Sequence, residues 1–572
     1  MFSILKKRWL LKQHKKEIVE DIKLRYKLND IVAQVISSRI EISDVNFFLF
    51  PTLRHQMPNP FVLKDMDCAV ECVKKTLLAK ERICIFADYD VDGATSCAVL
   101  KKFFKALGVE CNVYIPDRIT EGYGLSESAI KRISQHSTCI ISVDCGSVSF
   151  EEIMLAKSLG MSMVVLDHHI CTSRVADADA VVNPNRLDDT SGLHYMAAVG
   201  VTYMFIVALS SCLKDTYLKR LIETFDLLSL LDLVALGTVC DVMPLIKLNR
   251  VFVTQGLKIL KKRQNVGLRN LSDTAALAEE PTVRHLGFVF GPMINAGGRV
   301  GDSMLGAKLL STDSEAEAVK ISTYLHECNV KRRKIQDDVM EEACQLIVEH
   351  GLDNVIVVCG DLWHVGVIGI VASRLKEIYD RPVAVISLDE NGIGRASWRS
   401  IKGFNFGAAI LLAKEKNLIT EGGGHDMAAG FSVTKDKVED LRLFLSNEFN
   451  KSSIQHHCFF DFELPISAFT SELFEQLSFL EPFGVGNATP VFKMTQISVI
   501  NAKVVNNKHV SCILVDIFSK KSIPAIAFEA ISNGIGKVLL TKNVVLSVIV
   551  TLRRSYWKHK ETITCEIKDI IY

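Results

Sequence analysis

The sequence lacks several features that would assign it to a specialised class of protein. Its formal net charge is only +1, from 67 basic and 66 acidic residues, so an overall strongly basic or acidic surface is excluded. Any binding to nucleic acid must therefore rest on local patches and not on total charge. The hydrophobic content of 48% and the charged content of 23% are ordinary values for a globular protein.

The cysteines include no Cys-x-x-Cys pair, so the usual sequence signature of a zinc site is missing. The closest two of the sixteen cysteines, Cys68 and Cys72, are four residues apart. Others, such as Cys84, Cys139 and Cys359, lie within apolar runs. We therefore expect buried free thiols, as in proteins of the reducing cytoplasm.

Long hydrophobic runs are also scarce. No apolar core follows the basic N-terminus, so we expect no signal peptide. One uncharged run, residues 197–213, approaches membrane-spanning length, but it contains Gly200, Thr202 and two serines. A helix buried in a large domain explains this run better than a membrane span. We expect a cytoplasmic protein without a membrane segment.

The chain is too long for a single hydrophobic core and should divide into about three or four domains. Residues 1–60 predict a charged, helical leader that packs on the first domain. Residues 313–350 contain neither glycine nor proline and predict one long connecting helix. The remaining segments predict an α/β domain at 61–312, a smaller α/β domain at 351–450 and, at 455–572, a small β-barrel of the oligonucleotide-binding type.

Residues 61–312 alternate unbroken apolar strands with helices, which predicts a parallel β-sheet covered on both faces. In such sheets, functional groups collect beyond the carboxyl ends of the strands. Three predicted strands end in acidic or histidine clusters. These clusters are Asp88-Tyr89-Asp90-Val91-Asp92-Gly93, Asp144-Cys145-Gly146 and Asp167-His168-His169.

The first cluster carries carboxylates at alternate positions. If the segment stays extended, Asp88, Asp90 and Asp92 point the same way and repel one another. Hard divalent cations such as magnesium, calcium or manganese are the usual compensation. A solvated acidic turn or a calcium loop would give the same pattern, but three such clusters at successive strand ends favour a metal centre. Asp241, in an apolar helical stretch, either caps that helix or reaches the same centre.

Two glycine-rich segments, residues 394–400 and 422–430, are interpreted as loops whose backbone N–H groups approach phosphates. An arginine in the first could add a two-pronged contact. Near the C-terminus, residues 553–560 interleave cations with aromatic residues, which suits binding of a single nucleic-acid strand. An exposed hairpin with its aromatic side chains packed inward would give the same run.

The ordered set Asp88-x-Asp90-x-Asp92-Gly93, Asp144, Asp167-His168-His169 and Asp241 resembles the DHH phosphoesterase superfamily. Gly423-Gly424-His425 followed by Ala428-Ala429-Gly430 resembles the C-terminal domain associated with that superfamily. Residues 294–299, residues 396–400 and the β-rich C-terminal region narrow the resemblance to its single-stranded-DNA-specific 5′→3′ exonucleases. The resemblance covers nearly the whole chain from about residue 50.

This resemblance implies a site with two metal ions, Mn²⁺ or Mg²⁺. Asp90 would bind one ion and Asp92 the other, Asp144 would bridge the two, and Asp92 would share its ion with further ligands. Those further ligands would be His168 and Asp241. Asp88 and His169 match motif positions near the metals and are expected to act in catalysis, with His169 orienting the leaving group or phosphate.

The same resemblance implies contacts to the nucleic acid. Arg118, Ser397 and Arg399 are expected to recognise the 5′ end, and Arg299 and His425 to contact phosphates. Two positions depart from the superfamily pattern. Phe86 stands where many members have a metal-binding histidine, and Met293 stands where an arginine is common, so one metal ligand and one phosphate contact are in doubt.

The implied function is degradation of single-stranded DNA from its 5′ end to mononucleotides, by two-metal hydrolysis, in DNA repair and recombination. One alternative is a phosphodiesterase for short oligonucleotides or cyclic dinucleotides, although such enzymes usually lack the β domain. Another is a non-catalytic DNA-binding scaffold, which would be expected to have lost metal ligands. We expect a monomer, with a helicase and a single-strand-binding protein as partners.

Overall fold

The computed structural model describes the chain apart from residues 1–2, 15, 119, 172–173, 426, 452–456, 542–543, 558–559 and 572. At positions 42, 424–425, 554–557 and 560–561 it describes the backbone alone. The described residues form two compact units. The first unit comprises Phe47–Lys334 and Pro482–Asn487, and the second unit comprises Met1–Asn46, Ile335–Glu481 and Ala488–Tyr572.

The strands fall into separate sheets in the two units. In chain order they are β1 (Arg8–Leu11), β2 (Ile83–Ala87), β3 (Asn112–Tyr114), β4 (Cys139–Val143), β5 (Ser162–Leu166), β6 (Ala180–Val182), β7 (Ile356–Asp361), β8 (Val383–Leu388), β9 (Ile393–Arg399), β10 (Glu421–His425), β11 (Ala428–Thr434), β12 (His457–Phe460), β13 (Phe462–Glu463), β14 (Val491–Val505), β15 (His509–Asp516), β16 (Ser522–Ala527), β17 (Val545–Trp557) and β18 (Lys560–Ile571).

The α-helices make up most of the chain between β6 and β7. In chain order they are α1 (Lys16–Tyr26), α2 (Asp30–Ser37), α3 (Val45–Leu49), α4 (Leu53–Gln56), α5 (Met66–Leu78), α6 (Val91–Ala106), α7 (Glu127–Ser134), α8 (Phe150–Ser158), α9 (Ala198–Leu213), α10 (Lys219–Thr224), α11 (Leu231–Cys240), α12 (Lys247–Lys261), α13 (Val266–Thr274), α14 (Val283–His285), α15 (Gly291–Val300), α16 (Met304–Ser311), α17 (Glu315–His350), α18 (Val365–Tyr379), α19 (Phe406–Glu415), α20 (Val438–Asn450), α21 (Ser471–Ser478) and α22 (Ile535–Leu539).

The first unit is built on a parallel five-stranded sheet in the order β3-β2-β4-β5-β6. Every residue of β2 and β4 is buried. Successive residues of β2 pack into different hydrophobic clusters, with Ile85 on one side and Phe86 on the other. The predicted parallel sheet with two covered faces is therefore confirmed.

The carboxyl ends of β2, β4 and β5 lie side by side, and backbone hydrogen bonds extend the ladder by one residue. The amide of Asp88 donates to Val143 at 3.3 Å, that of Asp144 to Leu166 at 3.0 Å, and that of Asp167 to Val182 at 3.0 Å. The three polar clusters thus meet at one edge of the sheet.

The apolar run at residues 197–213 forms helix α9, which begins at Ala198 and is almost entirely buried in the core of the first unit. Its apolar surface packs against α5, α6 and α11. None of the helices in the described parts of the chain combines the length and the hydropathy needed to cross a membrane. The interpretation of this run as a buried helix is confirmed.

Helices α11 and α12 of the first unit pack together at an unusually short distance. A Cβ at position 256 would overlap the carbonyl oxygen of Leu231 and would lie 2.5 Å from the Cβ of Ala235. Glycine at position 256 therefore sets the separation of the two helices. Because Asp241 follows α11 directly, this separation also helps to fix where that carboxylate lies.

The second unit contains a mixed sheet in the order β10-β11-β9-β8-β7, in which only β7 and β8 run parallel. The interpretation of these two glycine-rich segments as loops is wrong, because residues 394–399 lie in β9, residues 422–425 in β10 and residues 428–430 in β11, and each of these strands is paired. Antiparallel pairing across the sheet overrides the low strand propensity of their glycines. Trp398 of β9 is fully buried and stacks on Phe406 at 3.6 Å.

The C-terminal strands close into a barrel, as predicted. The sheet order is β13-β14-β15-β16-β18-β17, and a further pairing of β14 with β17 closes the ring. The long helix α17 is also confirmed; it begins in the first unit and ends in the second.

The N-terminal segment was expected to pack on the first domain, and this expectation is wrong for its first 46 residues. Strand β1 pairs in parallel with β12, which precedes the barrel. Lys12 donates to the buried carboxylate of Asp461 at 2.8 Å, and the amide of Leu5 donates to Asp569 at 3.3 Å. Pairing between such distant segments leaves no trace in local periodicity.

We predict that Gly256→Ala lowers the free energy of unfolding by about 1–3 kcal/mol, because the added methyl group forces α11 and α12 apart. Denaturant titration of the metal-free protein measures this change. Gly287→Ala is the matched control, since a Cβ there would meet only a Val239 methyl group, at 3.6 Å. Equal stability of the two variants would contradict the proposed close packing.

Candidate metal centre

The chain turns sharply at the first acidic cluster. Strand β2 ends at Ala87 and α6 begins at Val91, with Asp90 as its N-cap. Oδ1 of Asp90 accepts hydrogen bonds from the amides of Asp92 at 2.8 Å and Gly93 at 3.2 Å. The segment does not stay extended, so the condition under which all three carboxylates would point the same way is not met.

Glycine at position 93 makes this turn possible. A Cβ there would overlap the carbonyl oxygen of Asp88. Helix α6 can therefore start directly against the end of β2, which brings Asp92, in its first turn, back towards the sheet edge.

The carboxylate of Asp92 is held by the N-terminus of α9. Its Oδ2 accepts from the amide of Ala198 at 2.6 Å, and its Oδ1 accepts from the amide of Val199 at 3.0 Å. These amides belong to the first turn of α9, where N–H groups have no partner within the helix. They also place the positive end of the helix dipole beside a buried negative charge.

His168 is surrounded by carboxylates. Its Nε2 lies 3.3 Å from Oδ1 of Asp144, 3.5 Å from Oδ2 of Asp241 and 3.9 Å from Oδ2 of Asp92. Asp92, His168 and Asp241 offer ligand atoms within 4.8 Å of one another. Asp241 is also the C-cap of α11, so the two roles considered for it are compatible.

A second group is formed by Asp88, Asp90 and Asp144, and a third by Asp144, His168 and His169. Asp144 belongs to the second and third groups. It also lies beside His168, which belongs to the Asp92–His168–Asp241 group. This is the position expected of a residue that bridges two metal ions. It has a φ of 62°, in the left-handed region that aspartate tolerates better than most residues. The structure thus brings together the seven residues predicted to act in metal binding and catalysis.

Burial and crowding disfavour ionisation of four of these acids, Asp88, Asp92, Asp144 and Asp241. Burial, and then the charge of Asp90, raises the pKa of Asp92 to about 7. Burial, and then the charge of Asp92, raises the pKa of Asp241 to about 9. The pKa values of Asp88 and Asp144 are also raised, for the same kind of reason.

The donor set fits divalent cations. Three buried atoms, Oδ1 of Asp88, Nε2 of His168 and Oδ2 of Asp241, have no hydrogen-bond partner within the described part of the chain. Burial lowers the pKa of His168 to about 4, which leaves a neutral imidazole at physiological pH. Carboxylate oxygens with a neutral imidazole suit manganese and magnesium, and a cation would offset the repulsion between the acids.

The neighbouring histidine is held in the opposite protonation state. Nδ1 of His169 lies 2.8 Å from Oδ1 of Asp167, and its Nε2 lies 3.2 Å from the hydroxyl of Tyr123. Burial alone would lower the pKa of His169, but the hydrogen bond and charge of Asp167 raise it to about 9. Sequence reasoning missed Asp167 and Tyr123 as supporting residues, although the Asp-x-His spacing of Asp167 and His169 was a visible signal.

Arg118 and Arg299 lie in the same unit as these groups. The guanidinium of Arg118 lies 4.8 Å from the centre of the Tyr89 ring, and the rings of Tyr89 and Tyr123 meet edge to face at 6.3 Å. The charges of both arginines act on the Tyr89 hydroxyl, whose pKa burial raises to about 12. Both arginines are therefore near the loop that follows β2.

Ser397 and Arg399 lie on β9 in the second unit. Arg399 donates to the hydroxyl of Ser397 at 3.3 Å and to that of Ser373 at 3.1 Å. His425 ends β10, but its side chain lies outside the described residues. The same holds for most side chains of the basic and aromatic run at 553–560.

The two positions that depart from the superfamily pattern are both in the hydrophobic core. Phe86 is fully buried and stacks on Tyr114 at 5.7 Å, and Met293 is also buried. Neither side chain offers a polar contact, so the site must rely on the other residues.

Three family models match the chain. The model described as "DHH family, N-terminal domain" matches residues 82–238, the "DHHA1 domain" matches residues 352–451, and the "RecJ OB domain" matches residues 460–569. Together they cover the parallel sheet, the mixed sheet and the barrel.

Curated relatives are similar over most of the chain. The single-stranded-DNA-specific exonuclease RecJ of Salmonella typhimurium is 31% identical over 484 residues, covering 82% of this chain and 84% of the relative. RecJ of Escherichia coli is 31% identical, covering 84% and 86%. RecJ of Bacillus subtilis is 32% identical over 85% of this chain, which spans only 61% of that longer protein.

Solved structures share the fold. RecJ from Thermus thermophilus in complex with Mn²⁺ superposes with a TM-score of 0.82 and 24% identity, over 99% of this chain and 79% of that one. Another exonuclease RecJ, bound to manganese, gives a TM-score of 0.58 and 26% identity over 72% and 98%.

We predict that Asp167→Asn lowers the pKa of His169 in the metal-free protein, because the neutral amide can no longer stabilise the imidazolium. Titration of the His169 ring protons by NMR measures this shift. Asp177→Asn is the control, since that exposed carboxylate pairs with Lys157 at 2.9 Å and not with a histidine. An unchanged His169 titration in Asp167→Asn would refute the assigned pairing.

Proposed function

Because the chain belongs to the RecJ family of single-stranded-DNA-specific exonucleases, we propose that it degrades single-stranded DNA from the 5′ end, in the 5′→3′ direction, to mononucleotides. One observation carries this proposal. The Asp88–Asp90–Asp144 group and the Asp92–His168–Asp241 group lie next to each other at one edge of the sheet, where Asp144 contacts His168. Two adjacent groups of hard ligands suit hydrolysis of a phosphodiester.

The proposed cofactors are two divalent cations, Mn²⁺ or Mg²⁺; structures of RecJ from Thermus thermophilus have been solved in complex with each of these metals. Asp90 would hold one ion, Asp92, His168 and Asp241 the other, and Asp144 both. When bound, such a pair supplies an activated water and neutralises charge on the attacking and leaving oxygens.

The residues around the metal groups contribute their own chemistry. His169 carries a proton on each ring nitrogen at neutral pH, because Asp167 accepts from its Nδ1. Its Nε2–H is directed towards Tyr123 and is free to exchange that partner for a phosphoryl oxygen of the substrate. Asp88 contributes a buried carboxylate oxygen without a partner among the described residues, which can accept a proton or a further bond to water.

The nucleic-acid contacts are assigned to both units. On the family resemblance, recognition of the 5′ end is assigned to Arg118 in the first unit and to Ser397 and Arg399 in the second. Phosphate contacts are assigned to Arg299 in the first unit and to His425 in the second. The working division is a catalytic domain at 61–312, a connecting helix at 313–350, a nucleic-acid-binding domain at 351–450 and a barrel at 455–572. The closed barrel supports a substrate longer than a dinucleotide, since small phosphodiesters would not need it.

We further propose a cytoplasmic, monomeric enzyme of DNA repair and recombination, which receives single strands from a helicase and from single-strand-binding protein. The sixteen cysteines, all of them free thiols, support a reducing compartment. The assignment of partners rests on the family alone.

Cleavage polarity is tested with a long single strand labelled at either end. We expect early release of a labelled mononucleotide from the 5′-labelled strand and gradual shortening of the 3′-labelled one. Both reactions should require Mn²⁺ or Mg²⁺ and stop with chelator, and blunt duplex should resist. Early release from the 3′ label would overturn the polarity, and cleavage of dinucleotides alone would favour the short-oligonucleotide phosphodiesterase.

We predict that Asp144→Asn lowers the cleavage rate by at least about 10³-fold, because it removes a charge shared by the two metal groups. Asparagine tolerates the left-handed backbone at this position, so the fold should persist.

An acid whose pKa is raised on folding loses its stabilising contribution as the pH rises through that value. The metal-free variant should therefore melt at the same or a higher temperature at neutral pH, and a normal cleavage rate would refute the assignment.

A further inference from the structure

A short segment embedded in the second unit's sequence belongs structurally to the first unit. Residues Pro482–Asn487, here named the strap, lie between α21 and β14, and the chain on both sides of them is part of the second unit. The strap is a closed turn, in which Gly484 and Asn487 exchange backbone hydrogen bonds of 2.9 and 3.1 Å. Nδ2 of Asn487 donates to the carbonyl oxygen of Pro482 at 2.9 Å.

The strap packs on the turn that follows Asp241. The amide of Leu245 donates to the carbonyl oxygen of Val485 at 2.7 Å. A Cβ at Gly486 would lie 3.0 Å from a methyl group of Ile246 and 3.3 Å from Cβ of Pro244. The turn after Asp241 therefore lies directly against the backbone of the strap. The contact is made at Leu245, four residues beyond Asp241.

The strap is anchored from the other side by a buried arginine of α12. Arg250 is only 2% exposed, and its guanidinium donates to the carbonyl oxygen of Pro482 at 3.4 Å and to that of Phe48 at 2.9 Å. The guanidinium also lies 3.8 Å from the centre of the Phe48 ring. A buried cation with these carbonyl partners fixes the strap relative to the start of α12.

The same turn is linked to the support of Asp92. The buried side chain of Asn249 donates to the carbonyl oxygen of Pro244 at 3.0 Å and to that of Tyr195 at 2.6 Å. Tyr195 lies three residues before Ala198, whose amide holds the carboxylate of Asp92. One asparagine thus joins the turn after Asp241 to the segment that positions Asp92.

We propose that the strap positions the Asp92–His168–Asp241 metal group. Through Leu245 it fixes the turn that carries Asp241, and through Pro244 and Asn249 it fixes the start of α9 that holds Asp92. Outer contacts of this kind orient ligands without touching the ion. The inference rests on the proposed metal-dependent function. It adds that the affinity of the Asp92–His168–Asp241 group for its ion depends on the strap, which shortly precedes strand β14 of the barrel.

The test is calorimetric titration of Mn²⁺ alone into the metal-free, full-length protein. Gly486→Ala should weaken Mn²⁺ binding about tenfold, because its methyl group displaces Pro244 and Ile246. Cleavage by this variant should fall at limiting Mn²⁺ and recover at saturating Mn²⁺. Asn249→Ala, which leaves the Tyr195 and Pro244 carbonyls without this donor, should weaken Mn²⁺ binding in the same way.

Gly160→Ala is the matched control. Gly160 lies in the same unit with a φ of 74°, against 76° for Gly486, but a Cβ there would meet nothing within 4 Å. Both variants therefore suffer the same backbone strain, and only Gly486→Ala disturbs the strap. Equal Mn²⁺ affinity in the two variants overturns the role of the strap, whereas absence of Mn²⁺ binding in the unaltered protein overturns the proposed function itself.

Discussion

Repulsion between buried carboxylates at one edge of a parallel sheet is the constraint that governs the first unit. Two of the acids are restrained by backbone amides: the carboxylate of Asp90 caps α6, and that of Asp92 accepts from the amides of Ala198 and Val199 at the start of α9. These hydrogen bonds oppose rotation of the two carboxylates away from the other acids. Protonation or bound cations can offset the remaining repulsion, and burial together with the neighbouring charges raises the pKa of Asp92 to about 7 and that of Asp241 to about 9.

The adjacent histidines, His168 and His169, have the same side chain, but their surroundings shift their pKa values in opposite directions. Burial, and then the charge of His169, lowers the pKa of His168 to about 4. His169 is paired with Asp167, and its pKa rises to about 9. At neutral pH one imidazole has a lone pair for a cation and the other has protons for an anion, so a single dipeptide can serve both a metal and a phosphate.

Much of the fold and of the site follows from local sequence. Apolar runs of strand length, each ending in acids or histidines, were enough to predict the parallel sheet and the meeting of Asp88, Asp144 and His168. The direction of Asp92 could not be taken from alternation along an extended segment, because Asp90 caps α6 and Asp92 lies in the first turn of that helix. The glycine-rich strands were missed because glycine has a low strand propensity. The pairing of β1 was missed because its partner, β12, is distant in sequence. The strap was invisible for the same reason, since its contacts lie more than two hundred residues away.

The parallel pairing of β1 with β12 has a consequence for synthesis of the chain. Lys12 and Asp461 are separated by 449 residues, so β1 has no partner until most of the protein has been made. At typical rates of translation this corresponds to roughly 20 to 90 seconds during which the edge of β1 is unpaired. The first unit, whose main segment ends at Lys334, can be complete apart from the strap well before then. Strand β1 is thus among the last parts of the chain to find its partner, although it is synthesised long before β12.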